Sequence, residues 1–345
     1  IDVAYKYFTT RKRKFIIADT PGHAEYTGNM FTGASTANLA IILIDVRHGI
    51  TEQTRRHTYI ADLLGIPGVV VCVNKMDLVD FSQQRFNEVV ESFKNFSANL
   101  RVKEMTFIPL SAISGDNVVH SSKNMPWYHG KSLLEHLEEV EIETGTNFEL
   151  PRFMVQYVIR KNTTEFPGFI GYAGKISSGT FKKGDKIIVF PSKTESEISC
   201  IKIHNKEVDK ASAQQSVIIQ LKESIEVNRG NTLASKNNLP AFLSQMQATI
   251  CWMSGKPLSA GAKLILQHYS NKVKVEVEEV KHKINLNNLQ FESIVENDVE
   301  LNDIVTVNLR TEQPIAFDRY RLNRNYGGFI LIDEITGNTV AAGFF

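Results

Sequence analysis

Three short strings hold the residues of this chain whose types and spacing can do chemistry together. The first is Asp19-Thr20-Pro21-Gly22-His23, directly after the apolar run Lys14 to Asp19. Ligands of α/β sheets bind at the carboxyl ends of strands. An aspartate there can hold a magnesium ion through water. Gly22 lets a backbone N–H approach a terminal phosphate, and His23 is placed to orient an attacking water. An ordinary strand-to-loop turn uses the same residue types, with glycine for a positive φ and aspartate as a cap. The second string is Asn74-Lys75-Met76-Asp77. The Asp77 carboxylate can accept from both N1–H and N2–H of guanine. Adenine offers neither donor, so a desolvated Asp77 would be left unpaired at a cost of about a few kcal/mol. Asn74 can meet the N7 edge, and the Lys75 stem can lie over the purine ring. A helix-capping turn is the plain alternative. In the third string, Ser111-Ala112-Ile113-Ser114-Gly115, the Ala112 backbone N–H can contact guanine O6.

The strings follow one another at about 55 and then about 37 residues, each at the end of an apolar run. One site assembled from strand ends needs that arrangement. Together they resemble the third, fourth and fifth guanine motifs of the GTPase superfamily. No G-x-x-x-x-G-K-[ST] string occurs in the sequence. A loop of that kind would cradle the α- and β-phosphates and supply a lysine and a magnesium-bearing hydroxyl.

The elements that must position these residues are legible as patterns. Lys14 to Asp19, Leu39 to Val46, Val69 to Asn74 and Thr106 to Leu110 are short, rich in Ile and Val, and without clear alternation. Such runs are expected to be strands covered on both faces. Helical stretches over Gln53 to Leu64, Ser82 to Leu100 and Leu133 to Val140 lie between and after them. The last opens on the capping box Ser132-Leu133-Leu134-Glu135. Alternating strand and helix predicts a doubly wound α/β sheet. Beyond Thr144-Gly145-Thr146-Asn147 the helical signal fades into short alternating strands with glycine turns, as at Lys183-Gly184-Asp185. A second break falls at Ser235 to Pro240. The expected organisation is an α/β domain over 1–147, a β-barrel over 148–238 and a second β-barrel over 239–345.

The bulk numbers narrow the class. With 345 residues the chain suits two or three domains. A net charge of +1 supplies no strong field toward nucleic acid or anionic membrane. No apolar run reaches the length of a membrane span. Cys72, Cys200 and Cys251 are scattered and odd in number, which predicts no disulfide framework and a reducing cytoplasm. The opening Ile1-Asp2-Val3-Ala4-Tyr5 reads as the middle of a strand, so Ile1 is expected to be a cut end.

The order of a guanine-nucleotide domain and two barrels resembles the translation-factor class of P-loop GTPases. Within it, the chain resembles the GTPase large-subunit family of bacterial heterodimeric sulfate adenylyltransferases (ATP sulfurylases) over its whole length. The strings that carry the resemblance include Tyr26-Thr27, Asn29-Met30, Thr32 to Thr36, Ile44-Asp45-Val46-Arg47-His48-Gly49 and Gln53 to His57. Others are Asn74 to Asp80, Gly115 to Val118, Met125-Pro126-Trp127-Tyr128, Val155 to Arg160, Gly171 to Gly174 and Gly328 to Asp333. Ala24 and Gly28 depart from the family pattern, in a segment that senses the γ-phosphate. The resemblance implies a translation-factor-like GTPase domain, incomplete at its N-terminus, and two elongation-factor-like barrels. It also places the switch-I threonine just ahead of the opening strand. A small partner subunit would join ATP and sulfate into adenosine 5′-phosphosulfate and pyrophosphate, the uphill first step of sulfate assimilation. This chain would bind and hydrolyse GTP with Mg2+. Gly22 and His23 would then be catalytic, Asp19 would hold magnesium through water, and Asp19 to His23, Asn74 to Asp77, Ser111 and Ala112 would bind GTP.

Competing readings stay open at this level. A translational GTPase delivering aminoacyl-tRNA would need a basic face, which the neutral charge does not favour. A degenerate, non-enzymatic relative would have no need for Asp19 or Asp77. Weaker signals are the basic run Arg11-Lys12-Arg13-Lys14, expected as a solvated hairpin turn, and Trp127-Tyr128, expected to anchor the last helix. Arg319, Arg321 and Arg324 form a cationic stripe, suited to an acidic partner or a solvated edge. No zinc-like His/Cys spacing occurs.

Overall fold

A computed structural model describes residues 3–20, 26–102, 104–141, 149–161, 168–204, 206–285, 290–294 and 299–345. The chain forms two compact units, residues 1–144 with 284–291, and residues 145–283 with 292–345.

In the first unit, strands β1 (Ala4–Thr9) and β2 (Lys14–Asp19) form an antiparallel hairpin with Ala4 opposite Asp19. Next come α1 (Thr27–Ser35), β3 (Leu39–Asp45), α2 (Glu52–Leu63), β4 (Gly68–Asn74), α3 (Gln83–Ser97), β5 (Glu104–Pro109) and α4 (Leu133–Glu139). β3, β4 and β5 make a parallel sheet in that order. The central strand, Gly-Val-Val-Val-Cys-Val-Asn, is buried everywhere except at Asn74, as expected of a strand paired on both edges and covered on both faces. Three of these helices, α2, α3 and α4, start where a side chain satisfies one of their first N–H groups. Thr51 and Thr54 cap α2 reciprocally, Ser82 accepts from Arg85 N–H, and Ser132 forms the expected capping box with Glu135. α3 turns Phe86, Val89 and Phe93 inward at three- and four-residue spacing.

Three expectations need correction. β2 is not a covered strand of this sheet. Its ladder partner is β1, and Ile16 is 68% exposed although the run Lys14 to Asp19 has the composition of a buried strand. The basic run does form the hairpin turn, with Thr10 N–H donating to Arg13 O at 2.9 Å, but it is not merely solvated. The Arg13 guanidinium donates to Leu137 O and Val140 O at 3.0 and 2.9 Å, and Lys12 pairs with Glu138 and Glu139. These cations sit where the last turn of α4 presents unpaired carbonyls and the negative end of its dipole. Trp127, expected to anchor the last helix, makes its described contacts elsewhere. Its indole N–H donates to Phe81 O, and its ring lies against Phe86 of α3.

In the second unit two antiparallel barrels close on themselves. In the first, Lys186–Phe190, Thr232–Ser235, Arg152–Met154, Phe169–Ser178, Ser216–Leu221 and Thr194–Ile203 follow around the wall, and the last pairs back to the first. In the second the order is Lys263–His268, Gly328–Asp333, Thr339–Phe344, Ala241–Trp252, Ile304–Phe317 and Asn271–Asn285, again closed. Alternate residues such as Met246, Ala248, Ile250 and Trp252 point inward, the period-two pattern of a barrel strand.

A polar cluster joins the barrels. Arg152, 1% exposed, donates to Asp318 Oδ1 at 2.9 Å and to Asn238 O at 2.7 Å. Asn323 donates to both Ser178 Oγ and Asp318 Oδ2. The Tyr326 hydroxyl lies 2.7 Å from that of Thr232. Asp318 to Tyr326 lie in the connection between two strands, where Arg319 and Arg321 are exposed and Arg324 Nε donates to Tyr320 Oη.

Candidate functional site

The parallel sheet brings three strand ends to one level. Asp45 at the end of β3 lies in register with Asn74 at the end of β4, and Val73 with Pro109 near the end of β5. The chain leaves β4 through a sharp turn at Lys75, whose φ of 66° lies in the left-handed region. For a residue with a Cβ this costs on the order of 1–2 kcal/mol. The turn is held from several sides. Asn74 Oδ1 accepts from Lys75 N–H at 2.7 Å, Met76 N–H donates to Leu110 O at 3.2 Å, and the Met76 side chain is fully buried. A strained backbone fixed this firmly aims its side chains reproducibly.

Asn74 and Asp77 each bond to the third string. Asn74 Oδ1 also accepts from Ala112 N–H at 3.0 Å, and the buried Ser111 hydroxyl donates to Asp77 Oδ1 at 2.5 Å. The Ser111 loop is braced in turn. Ser111 N–H donates to Asp116 O, the Asp116 carboxylate accepts from Ser114 and Ser122 hydroxyls, and these bonds hold it below the ordinary carboxylate range. Asn117, also buried, donates to Pro109 O and accepts from Ser122 N–H.

The second and third strings, 37 residues apart in sequence, therefore form one hydrogen-bonded constellation. Ser111 donates to one Asp77 oxygen, and both carboxylate oxygens retain acceptor capacity for donors from outside. This arrangement suits a planar group with two adjacent donors, as on guanine. One assignment changes. The Ala112 N–H expected at guanine O6 is already donated to Asn74, so an O6 contact there would have to displace or share that bond.

Of the first string, Asp19 and Thr20 are described and Pro21, Gly22 and His23 lie outside the described residues, as does Ala24. Asp19 ends β2, its backbone paired with Ala4 and its side chain exposed. Thr20 lies close to Gly33 of α1, where a Cβ would come 2.8 Å from the Thr20 methyl. The structure does not bring Asp19 into the constellation of Asn74, Asp77 and Ser111. Among the described residues no group of three or more His, Cys, Asp or Glu side chains is arranged to hold a metal ion.

Asp45 and Arg47 stand in the Ile44 to Gly49 string that carries the resemblance, but no role was assigned to them there. The Asp45 carboxylate accepts from Arg47 N–H and Nε at 3.0 Å and from its terminal nitrogen at 2.7 Å, and it meets Lys75 Nζ at 2.9 Å. Chiefly the Arg47 bond, helped by Lys75, holds Asp45 far below the usual carboxylate range. The available signal was its place at the end of an apolar run, like Asn74.

Known proteins resemble this chain over its whole length. Residues 1–158 match the family model of the elongation factor Tu GTP binding domain, and residues 245–345 match that of the GTP-eEF1A C-terminal domain-like family. A curated relative from Bacteroides fragilis, sulfate adenylyltransferase subunit 1, is 47% identical over 99% of this chain and 71% of its own length. A relative of the same name from Teredinibacter turnerae is 44% identical, covering 99% of this chain and 72% of its own. A bifunctional enzyme CysN/CysC of Mycobacterium tuberculosis is 44% identical over 99% of this chain and 56% of its own length. Among solved structures, sup35 complexed with GMPPNP has a TM-score of 0.53 at 24% identity, over 98% of this chain and 82% of that one, a likeness of fold.

Proposed function

The chain belongs to the sulfate adenylyltransferase subunit 1 family, and from that premise we propose that it binds GTP through the strand-end constellation and couples its hydrolysis to sulfate activation on a partner subunit. The reaction so driven joins ATP and sulfate into adenosine 5′-phosphosulfate and pyrophosphate. The adenylyl-transfer site belongs to the partner in this reading, and both subunits work in the cytoplasm. The names of the relatives support this reading over delivery of aminoacyl-tRNA. The observation that carries the nucleotide site is the pair of bonds from Ala112 N–H to Asn74 Oδ1 and from the Ser111 hydroxyl to Asp77 Oδ1.

In this account Asp77 reads N1–H and N2–H of guanine, Asn74 and Ala112 frame the purine edge, and the Lys75 stem covers its face. Met76 and Ser111 act from below, one as a buried plug and one as a hydrogen-bond donor to Asp77. Asp19, exposed at the end of β2, fits a hard cation held through water. When bound, Mg2+ would neutralise charge on the β- and γ-phosphates. Thr20 and Pro21 lead into Gly22 and His23, assigned to the γ-phosphate and to orienting the attacking water. Their contribution is positioning and electrostatics rather than a covalent intermediate.

The assignment of Asp77 is tested by exchanging its carboxylate for an amide. Xanthine carries a carbonyl where guanine carries the 2-amino group, so Asp77→Asn offers it a matching N–H donor. The variant should lose about 100-fold in GTP affinity and gain binding of XTP, measured by titration with both nucleotides. Unchanged GTP affinity in the variant would remove the base from this place.

A further inference from the structure

The sheet register sets one more charged residue beside the nucleotide-base constellation. Asp45 and Asn74 are neighbours across β3 and β4, so the Asp45 side chain emerges beside the Lys75 turn. Its carboxylate is not free to wander. Arg47, two residues on, holds it with a backbone N–H and a two-pronged guanidinium contact, a geometry that fixes the plane as well as the position of the carboxylate. On this fixed acceptor rests the Lys75 ammonium, at 2.9 Å. Lys75 itself is anchored at its other end, because the left-handed turn and the Asn74 bond fix its backbone. A lysine tied at both ends keeps its four-carbon stem in one place. A free lysine samples many rotamers, and stacking under a ring would have to order them at an entropic cost.

We propose that Asp45, held by Arg47, is a positioning residue for nucleotide binding: it tethers the Lys75 ammonium so that the Lys75 stem is preorganised as one wall of the purine site. This rests on the reading that the base lies against Lys75. The ion pair is partly exposed, with side-chain exposures of 18% for Asp45 and 47% for Lys75, so its effect is a modest factor rather than an all-or-none requirement. It also has a recognisable signature. A wall under the ring does not read the 2-amino group, so its loss weakens every purine of the same ring shape equally. Loss of Asp77 instead weakens those that carry the 2-amino group most.

The test is a double-mutant cycle on the intact protein, read by equilibrium titration with GTP and with ITP, which lacks the 2-amino group. Asp45→Asn keeps the side-chain shape and removes the charge. It should weaken GTP and ITP by the same factor, about three- to fivefold. Lys75→Met keeps an unbranched apolar stem and removes the ammonium. In that background Asp45→Asn should have no further effect, because the tether is already gone. An equal effect of Asp45→Asn in both backgrounds, no effect in either, or a loss confined to GTP would each overturn the proposal. Lys75→Ala separates this from the larger reading. If it leaves both affinities unchanged, the base does not lie against Lys75 at all. If Lys75→Ala weakens binding while Asp45→Asn does not, the base is rightly placed and the tether is wrong.

Discussion

His268 shows how much a single buried side chain can set. It is fully enclosed, with the rings of Tyr269, Tyr326 and Phe345 edge-on around it and Tyr326 O 3.0 Å from Nε2. Its Nδ1 finds no partner. Burial pushes the imidazole down to about 4, against weaker upward pulls from the Tyr326 carbonyl and Asp318. The folded form therefore resists a proton that the unfolded chain accepts near pH 6.5. The corresponding stability is complete above that pH and is lost as pH falls toward 4, ~3 kcal/mol in all for a fully enclosed ring. Urea unfolding of the barrels, followed through Trp252 in a Trp127→Phe background, should show this loss. In His268→Phe the fall between pH 6.5 and 4 should be shallower; an identical fall would show that another group titrates. At the same scale, the Asn74 to Asp77 string was legible because its residue types match the donors of one base. Asp45 was not, because its meaning comes from a register of β3 against β4 that no local pattern encodes.

Elements were legible where composition and end signals agree. α2, α3 and α4 begin on Thr51, Ser82 and Ser132, each of which accepts a hydrogen bond from its helix's first turn. α1 was missed, because Gly28, Thr32 and Gly33 weaken any helical signal. It forms around buried Met30 and Phe31, and Gly33 provides the close approach to Thr20. β2 misled in the opposite way, since Phe15-Ile16-Ile17 has the composition of a covered strand and the ladder with β1 leaves it exposed. The junction between barrels was invisible for another reason. Arg152 reads as a surface residue in any local window, yet it is buried opposite Asp318, a residue far away in sequence. Removing one member leaves a buried charge unpaired, at about 3–5 kcal/mol. Arg152→Met should lower the unfolding free energy of the barrels by that order, and Arg152→Met with Asp318→Leu should recover most of it. Equal losses in the single and double variants would mean that the ion pair is not what the packing depends on.

At the scale of the whole molecule, a parallel sheet with its chemistry at the strand ends is joined in one chain to two closed barrels. The barrels share a polar seam of Arg152, Asp318, Asn323 and Ser178. The net charge of +1 supplies no strong overall field toward RNA. Among the described residues no helix is long and apolar enough to cross a membrane. Hydrolysis of GTP would be of no use to sulfate activation unless the two cycles were obligatorily linked. The most direct measurement is GTP hydrolysis by the intact protein with and without its partner subunit, ATP and sulfate. The account predicts that turnover rises only when all three are present, and that adenosine 5′-phosphosulfate and pyrophosphate form as GTP is consumed. GTP turnover indifferent to partner, ATP and sulfate would contradict it.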